Sequence, residues 1–176
     1  MQDKSHLRIK FKELRKFLNL QQISTDICNN IRSFELYNQS HNVMLFYPTD
    51  YEINLLELLK DKKNFFFPKI NGKDLEVCPY FSNVEFKKSK FNILEPCSTP
   101  VNSELLDLVF VPALAVDEHK YRLGYGGGFY DKFLPKCTNA KTIVPIYKDF
   151  IIEELPHENH DICVDFIITN AKKAHI

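Results

Sequence analysis

Apolar residues repeat with two different periods along this chain, and the change of period divides it. Over about residues 4–19, Leu7, Phe11, Leu14 and Leu18 follow the 3.6-residue spacing of one helix face, which predicts an amphipathic helix. Lys4, Arg8, Lys12 and Arg15 form a second, basic stripe along it. A second helix is predicted over about 23–38, with Ile23, Ile27, Ile31 and Phe34 inward and its N-cap within 24–26. Beyond it, most apolar residues come in short unbroken runs. VMLFYP (43–48) is stopped by a proline and reads as a buried strand, while EINLLELL (52–59) reads as a helix. FFFPKI (65–70) is a strand interrupted or ended at Pro68. LEVCPYF (75–81) is a candidate edge strand, because Pro79 cannot donate to a ladder. LDLVFVPAL (106–114) is the most hydrophobic run and is placed at the sheet centre. A helix over about 128–135, a strand at KTIVPIY (141–147), a short helix near 150–155 and a last strand at VDFIIT (164–169) complete the pattern. Bare apolar strands alternating with helices predict a three-layer α/β/α sandwich with a mostly parallel, Rossmann-like sheet. In such sheets ligands bind beyond the carboxyl ends of the strands. Three segments qualify: YPTDYE (47–52), VPALAVD (111–117) with the stretch that follows it, and the residues after 169.

The chain has 176 residues, which suits one domain over 1–176 with its own core. Its formal net charge is zero, so any anion site is local, and neither a nucleic-acid backbone nor an anionic membrane is the expected partner. Five cysteines at wide spacings, with no CxxC, argue against a disulfide framework or a zinc ribbon. The N-terminus is charged, and no apolar run approaches the ~18 residues of a membrane span. A cytoplasmic, monomeric protein is expected.

Glycine is scarce and unevenly placed. Of five glycines, Gly124, Gly126, Gly127 and Gly128 fall within RLGYGGGFYD (122–131). One strand-to-helix turn needs fewer. Consecutive residues without side chains expose a row of backbone N–H groups, and the helix that follows adds its unpaired first-turn amides, so the stretch reads as a phosphate cradle. Arg122 can add a bidentate phosphate contact, and Asp131 can bind Mg²⁺ or cap the helix. No Gly-Lys-Ser/Thr follows, which excludes a Walker A loop, and the stretch comes too late in the chain for a dinucleotide fingerprint. His157 and His160, three apart, lack a third ligand at helical spacing and read as a polar loop.

Taken in order, LVFVPALAVD (108–117), RLGYGGGFYDKFL (122–134) and HENHDICVDFIIT (157–169) resemble the C-terminal half of the 5-formyltetrahydrofolate cyclo-ligases, also called 5,10-methenyltetrahydrofolate synthetases. KSHLR (4–8) resembles the family's N-terminal Lys-x-x-Leu-Arg and YPTDYEIN (47–54) its strand-end segment, with FPK (67–69) and EP (95–96) in order between them. The resemblance implies an ATP- and Mg²⁺-dependent enzyme. ATP phosphorylates the formyl oxygen of 5-formyltetrahydrofolate, N10 attacks the activated carbon, and 5,10-methenyltetrahydrofolate, ADP and phosphate result.

Carried over by position, the resemblance assigns ATP to Lys4, Arg8, Arg122, Leu123, Gly124, Tyr125, Gly126, Gly127, Gly128, Phe129 and Tyr130. It assigns the folate to Glu52, Tyr47 and Tyr130, Mg²⁺ to Asp131 and Asp161, and catalysis to Arg122, Tyr130 and Lys132. Lys12 and Arg15, on the same stripe as Lys4 and Arg8, are the alternative register. The chain departs from the family at Ala113, where Gly is usual, and at Val116, where Phe is usual; the missing Phe is expected to reshape the folate pocket. Lys120 and Lys132 stand where Gly and Arg are usual, and no Gln occurs near Lys148–Phe150. Two other readings stay open: a different ATP-using enzyme on the same scaffold, and a non-catalytic relative that recognises nucleotide or RNA.

Overall fold

The computed structural model describes residues 3–171, so the expected domain of 1–176 reaches at both ends into residues outside that range. Two helices open the chain, α1 (Lys4–Arg15) and α2 (Leu20–Ser33), followed by a short α3 (Glu35–Gln39). Then come β1 (Asn42–Met44), β2 (Asn64–Asn71), β3 (Asp74–Pro79), β4 (Phe86–Lys88) and β5 (Leu94–Pro96). The second half holds β6 (Leu108–Phe110), β7 (Ala115–Asp117), β8 (Arg122–Leu123), α4 (Phe129–Phe133), β9 (Lys141–Ile146), β10 (Ile151–Ile152) and β11 (Phe166–Thr169). The main sheet runs β11-β9-β6-β1-β2-β3; every neighbouring pair is parallel except β2–β3. The most apolar run, β6, is central, and Pro79 lies on the edge strand, as its chemistry requires.

The strands bury both faces, so two core clusters form. Ile23, Ile27 and Ile31 of α2 and Tyr37 of α3 pack with Val43, Phe65, Phe110 and Ile143 on one face. Leu7 and Phe11 of α1 and Phe133 of α4 pack with Met44, Phe66, Val109 and Val144 on the other. Fully burying one Phe or Leu side chain stabilises by about 1.5–3 kcal/mol, so these two interfaces hold the layers together. The second outer layer is not purely helical: a small sheet, β10-β7-β8, shares it with α1 and α4.

Several local expectations are corrected. On α1, Leu14 is 42% exposed and Arg15 is 5% exposed, so the buried row is Leu7, Phe11, Arg15. The helix ends at Arg15, and Leu18 lies beyond it. The second helix starts at Leu20, where Asn19 accepts from the Gln22 N–H at 3.3 Å; Ser24, expected in the cap, is buried mid-helix and accepts from the Asn54 N–H. The segment read as a helix over 52–59 holds only a 3-10 turn at Leu56–Lys60, and that near 150–155 holds a 3-10 turn followed by β10. Strand β2 runs through Pro68 unbroken. Pro68 lies opposite Val77 of β3 and beyond the β1 register, which ends at Phe66, so the pairing with β3 carries the strand past it. Among the described residues no helix is long and apolar enough to cross a membrane.

Candidate functional site

A cavity of about 910 Å³ opens beyond the carboxyl ends of β1 and β6. Phe46, Tyr47, Thr49 and Glu52 enter it after β1, and Pro112 after β6. The start of α1, the glycine loop and residues 156–161 complete its polar wall. The third expected segment is corrected: of the described residues after 169, none lines the cavity, and the chain arrives instead through the loop that precedes β11.

The glycine loop joins β8 to α4. Gly126 and Gly128 have φ of +101° and +64°, backbone that a side chain would strain. At Gly127 a Cβ would sit 2.6 Å from the Phe129 ring. Arg8 donates through Nε to the Gly124 carbonyl at 2.9 Å, which lays its guanidinium against the loop. Helix α4 has only five residues, so a dipole contribution at its start is small, and the groups left there to meet an anion are the loop amides and their neighbouring cations.

Two of those cations, Arg122 and Lys4, are engaged with carboxylates. Arg122, whose side chain is 5% exposed, donates to Asp131 Oδ1 at 2.9 Å and to the Ile162 carbonyl at 2.7 Å. The Ile162 N–H returns to the same Oδ1 at 3.2 Å. Lys4 donates to Asp161 Oδ2 and lies 3.6 Å from Glu158. Burial pushes the Asp161 carboxyl up, but Lys4 and the Glu158 N–H outweigh it and hold the group below its ordinary value of 3.8. Both expected metal carboxylates and their two partner cations thus line one wall.

Opposite chemistry enters from the β1 loop. Glu52 is 9% exposed, and its Oε2 accepts from the Thr49 N–H at 2.8 Å while its own N–H donates to the Thr49 carbonyl at 3.1 Å. This reciprocal turn, rather than a helix, holds the carboxylate. The Tyr130 hydroxyl is buried and has no hydrogen-bond partner among the described residues. Burial pushes its hydroxyl up, and the Glu52 charge adds to the shift. A buried polar atom without a partner is uncommon in a folded protein, and here it belongs to a residue that lines the cavity.

Comparison with known proteins decides the family. The sequence model of the 5-formyltetrahydrofolate cyclo-ligase family matches residues 1–170. The chain belongs to that family. A 5-formyltetrahydrofolate cyclo-ligase of Haemophilus influenzae is 29% identical over 92% of this chain and 94% of its own length. The NMR structure of Aquifex aeolicus 5,10-methenyltetrahydrofolate synthetase is 30% identical, with a TM-score of 0.84 over 95% of this chain and 89% of that one. A 5,10-methenyltetrahydrofolate synthetase from Mycoplasma pneumoniae, 18% identical with a TM-score of 0.78, shows the same fold. The chain is therefore an enzyme of the cyclo-ligase family with the α/β architecture of the synthetase structures.

Set against this cyclo-ligase cavity, nearly all the expected residues converge. Lys4, Arg8, Tyr47, Glu52, the whole stretch 122–131 and Asp161 line it. Lys132, expected in catalysis, does not: it is exposed and absent from the cavity lining. In the alternative register, Lys12 sits 5.7 Å over the Tyr125 ring and Arg15 is buried behind the wall; neither lines the cavity. The departures at Ala113, Val116 and Lys148–Phe150 also stand outside it. Val116 is wholly buried in the small sheet, so the missing Phe is a matter of core filling there. Lys120 adopts φ +68°, the left-handed backbone that favours the family's glycine. His157 stacks on Tyr121 at 4.1 Å, and no group of three His, Cys, Asp or Glu able to hold a metal occurs among the described residues.

Two contributors had no signal in the spacing. Phe91 and Ile93, from the β4–β5 hairpin, line the cavity, and Phe91 meets Phe129 edge-on at 5.8 Å. The one hint is an apolar Phe inside the polar turn KSKFN (88–92).

Proposed function

We propose that this cyclo-ligase converts 5-formyltetrahydrofolate to 5,10-methenyltetrahydrofolate with ATP and Mg²⁺, releasing ADP and phosphate. The observation that carries the reading is the convergence of Lys4, Arg8 and Arg122 on a glycine loop, with two carboxylates beside them and Glu52 in the same cavity. ATP supplies the phosphoryl group that makes the formyl oxygen a leaving group, and Mg²⁺ offsets charge on the phosphates.

The residues fit both groups. Phosphoryl transfer asks the protein for positioning and charge neutralisation, with no protein nucleophile. The loop amides with Lys4, Arg8 and Arg122 supply this. Mg²⁺ is commonly held by one or two carboxylates together with substrate phosphates and water, so a cage of three protein ligands is not required. Asp131 and Asp161 would serve, since the cations that pair with them in the free chain are the ones a phosphate attracts. Glu52 would accept from the ring N–H groups of the pterin and orient it, and Tyr130 would complete its unpaired hydroxyl on the folate. Phe91 and Phe129 would cover the reacting atoms and exclude water. A single cytoplasmic domain over 1–176, monomeric and without nucleic-acid partners, belongs to the same proposal.

The test follows near-ultraviolet absorbance of the methenyl product with 5-formyltetrahydrofolate and Mg²⁺. Product is expected only with ATP, and Arg122→Met is expected to lower kcat/KM by about 100-fold or more. Product formation without ATP, or an unaffected Arg122→Met, would reject the assignment.

A further inference from the structure

Arg15 is the last residue of α1, buried, and away from the cavity lining. A buried guanidinium is unfavourable unless its N–H groups find acceptors. None of its acceptors among the described residues is a carboxylate. Nη1 donates to the Tyr51 carbonyl at 3.3 Å and to the Tyr125 hydroxyl at 2.9 Å, and Nη2 donates to the Ala113 carbonyl. Nε has no partner among the described residues, and the group lies 5.9 Å from the Phe150 ring. The three acceptors come from three segments: Tyr51 immediately precedes Glu52, Ala113 follows Pro112, and Tyr125 sits inside the glycine loop. Glu52, Pro112 and Tyr125 all line the cavity. The Tyr125 ring is 41% exposed, yet its hydroxyl is turned inward onto Arg15. Burial pushes the pKa of this hydroxyl up, the neighbouring Glu52 charge pushes it further up, and Arg15 pulls it down, so the hydroxyl feels both charges.

We propose that Arg15 is a positioning residue that ties the glycine loop to the Glu52 segment through the Tyr125 hydroxyl, so that one buried group sets both ends of the cavity. The proposal rests on the reading of those ends as nucleotide and folate sites. The guanidinium holds its two amino groups apart in a fixed plane and so reaches acceptors on separate segments; an ammonium also has three donors but gathers them at a single point on a flexible stem. It also gives the fourth residue of the basic stripe a role separate from that of Lys4 and Arg8.

Two variants test it. Tyr125→Phe removes one oxygen from a half-exposed ring, and Arg15→Lys keeps the charge and loses the fork. With Tyr125→Phe, the thermal midpoint is expected to fall by no more than roughly 5 °C while KM rises about fivefold or more for both ATP and 5-formyltetrahydrofolate, the scale of a lost hydrogen bond to a charged group. Arg15→Lys is expected to raise both KM values at least as far, and the double variant no further than Arg15→Lys alone. A purely structural Arg15 would lower stability and the active fraction and leave both KM values alone, which would overturn the proposal. So would a rise confined to ATP, which would make Tyr125 a nucleotide contact only. Amide hydrogen exchange of the free protein supplies a readout that needs no turnover. Thr49 and Glu52 amides are expected to exchange faster in Tyr125→Phe, although the substitution is more than 70 residues away in the chain. Unchanged exchange would overturn the tie itself, whereas absent turnover of the wild type with faster exchange in the variant would reject only the assigned ligands.

Discussion

Asp161 shows how one side chain carries both structure and chemistry. It receives Lys4 from α1 and the Glu158 N–H from its own loop, and so pins the first helix to the segment before β11. Its folded pKa lies below the ordinary 3.8, so its stabilisation is present above that value and is lost as pH falls through the lower, folded one. Asp161→Asn is therefore expected to be less stable than wild type at pH 7, with the gap narrowing as pH drops below about 4. Denaturant midpoints of both proteins across that range check it, and a gap independent of pH would mean that Lys4 stabilises nothing through this carboxylate. The sequence marked Asp161 only through the family resemblance. Nothing in HENHD (157–161) tells which cation, 157 residues away in the chain, comes to meet it.

Elements were legible where one period dominated. The bare runs of β6, β9 and β11 read directly, because a strand buried on both faces must be apolar at every position. Helix α1 was legible in kind, but not in which residues it buries. Spacings of three and four both satisfy an apolar face, and only the acceptors waiting at Tyr51, Ala113 and Tyr125 select Arg15 over Leu14 for burial. The pieces β7, β8 and β10 are two or three residues long and carry no period. At the glycine loop, the Phe129 ring occupies the space next to Gly127, and Phe91 meets that ring's edge. Gly127→Ala must push Phe129 aside and disturb the hairpin contact. ADP affinity by calorimetric titration is expected to fall about tenfold or more, with the far-ultraviolet circular dichroism unchanged. An unaltered affinity would show that the loop amides do not hold the phosphates.

Across the whole molecule, the cavity is built by α1, the β1 loop, the β2–β3 pair, the β4–β5 hairpin, the glycine loop and residues 156–161. A ligand there bridges parts of the chain that the fold alone joins only at their edges. Ligand at 100 times its Kd stabilises the folded state by about 2.7 kcal/mol. For a chain of this size each kcal/mol corresponds to roughly 2–4 °C. Saturating ATP with Mg²⁺ is thus expected to raise the thermal midpoint by roughly 5–10 °C, and a chelator added before ATP is expected to remove most of that rise. A midpoint indifferent to the chelator would leave Asp131 and Asp161 without a metal.

The sequence by itself determined the class of fold, the central strand, one candidate edge strand, and the glycine-rich stretch that lines the cavity. Those depend on local properties: apolar runs, proline at an edge, and glycine crowded into a single loop. Tertiary structure alone decided that Lys132 is exposed and off the cavity lining, that Val116 is core, that Arg15 is buried, and that a hairpin Phe meets the Phe129 ring beside the glycine loop. Each of these turns on which distant residue supplies an acceptor, a packing neighbour or open solvent, and the sequence carries no distance between residues that only the folded chain brings together.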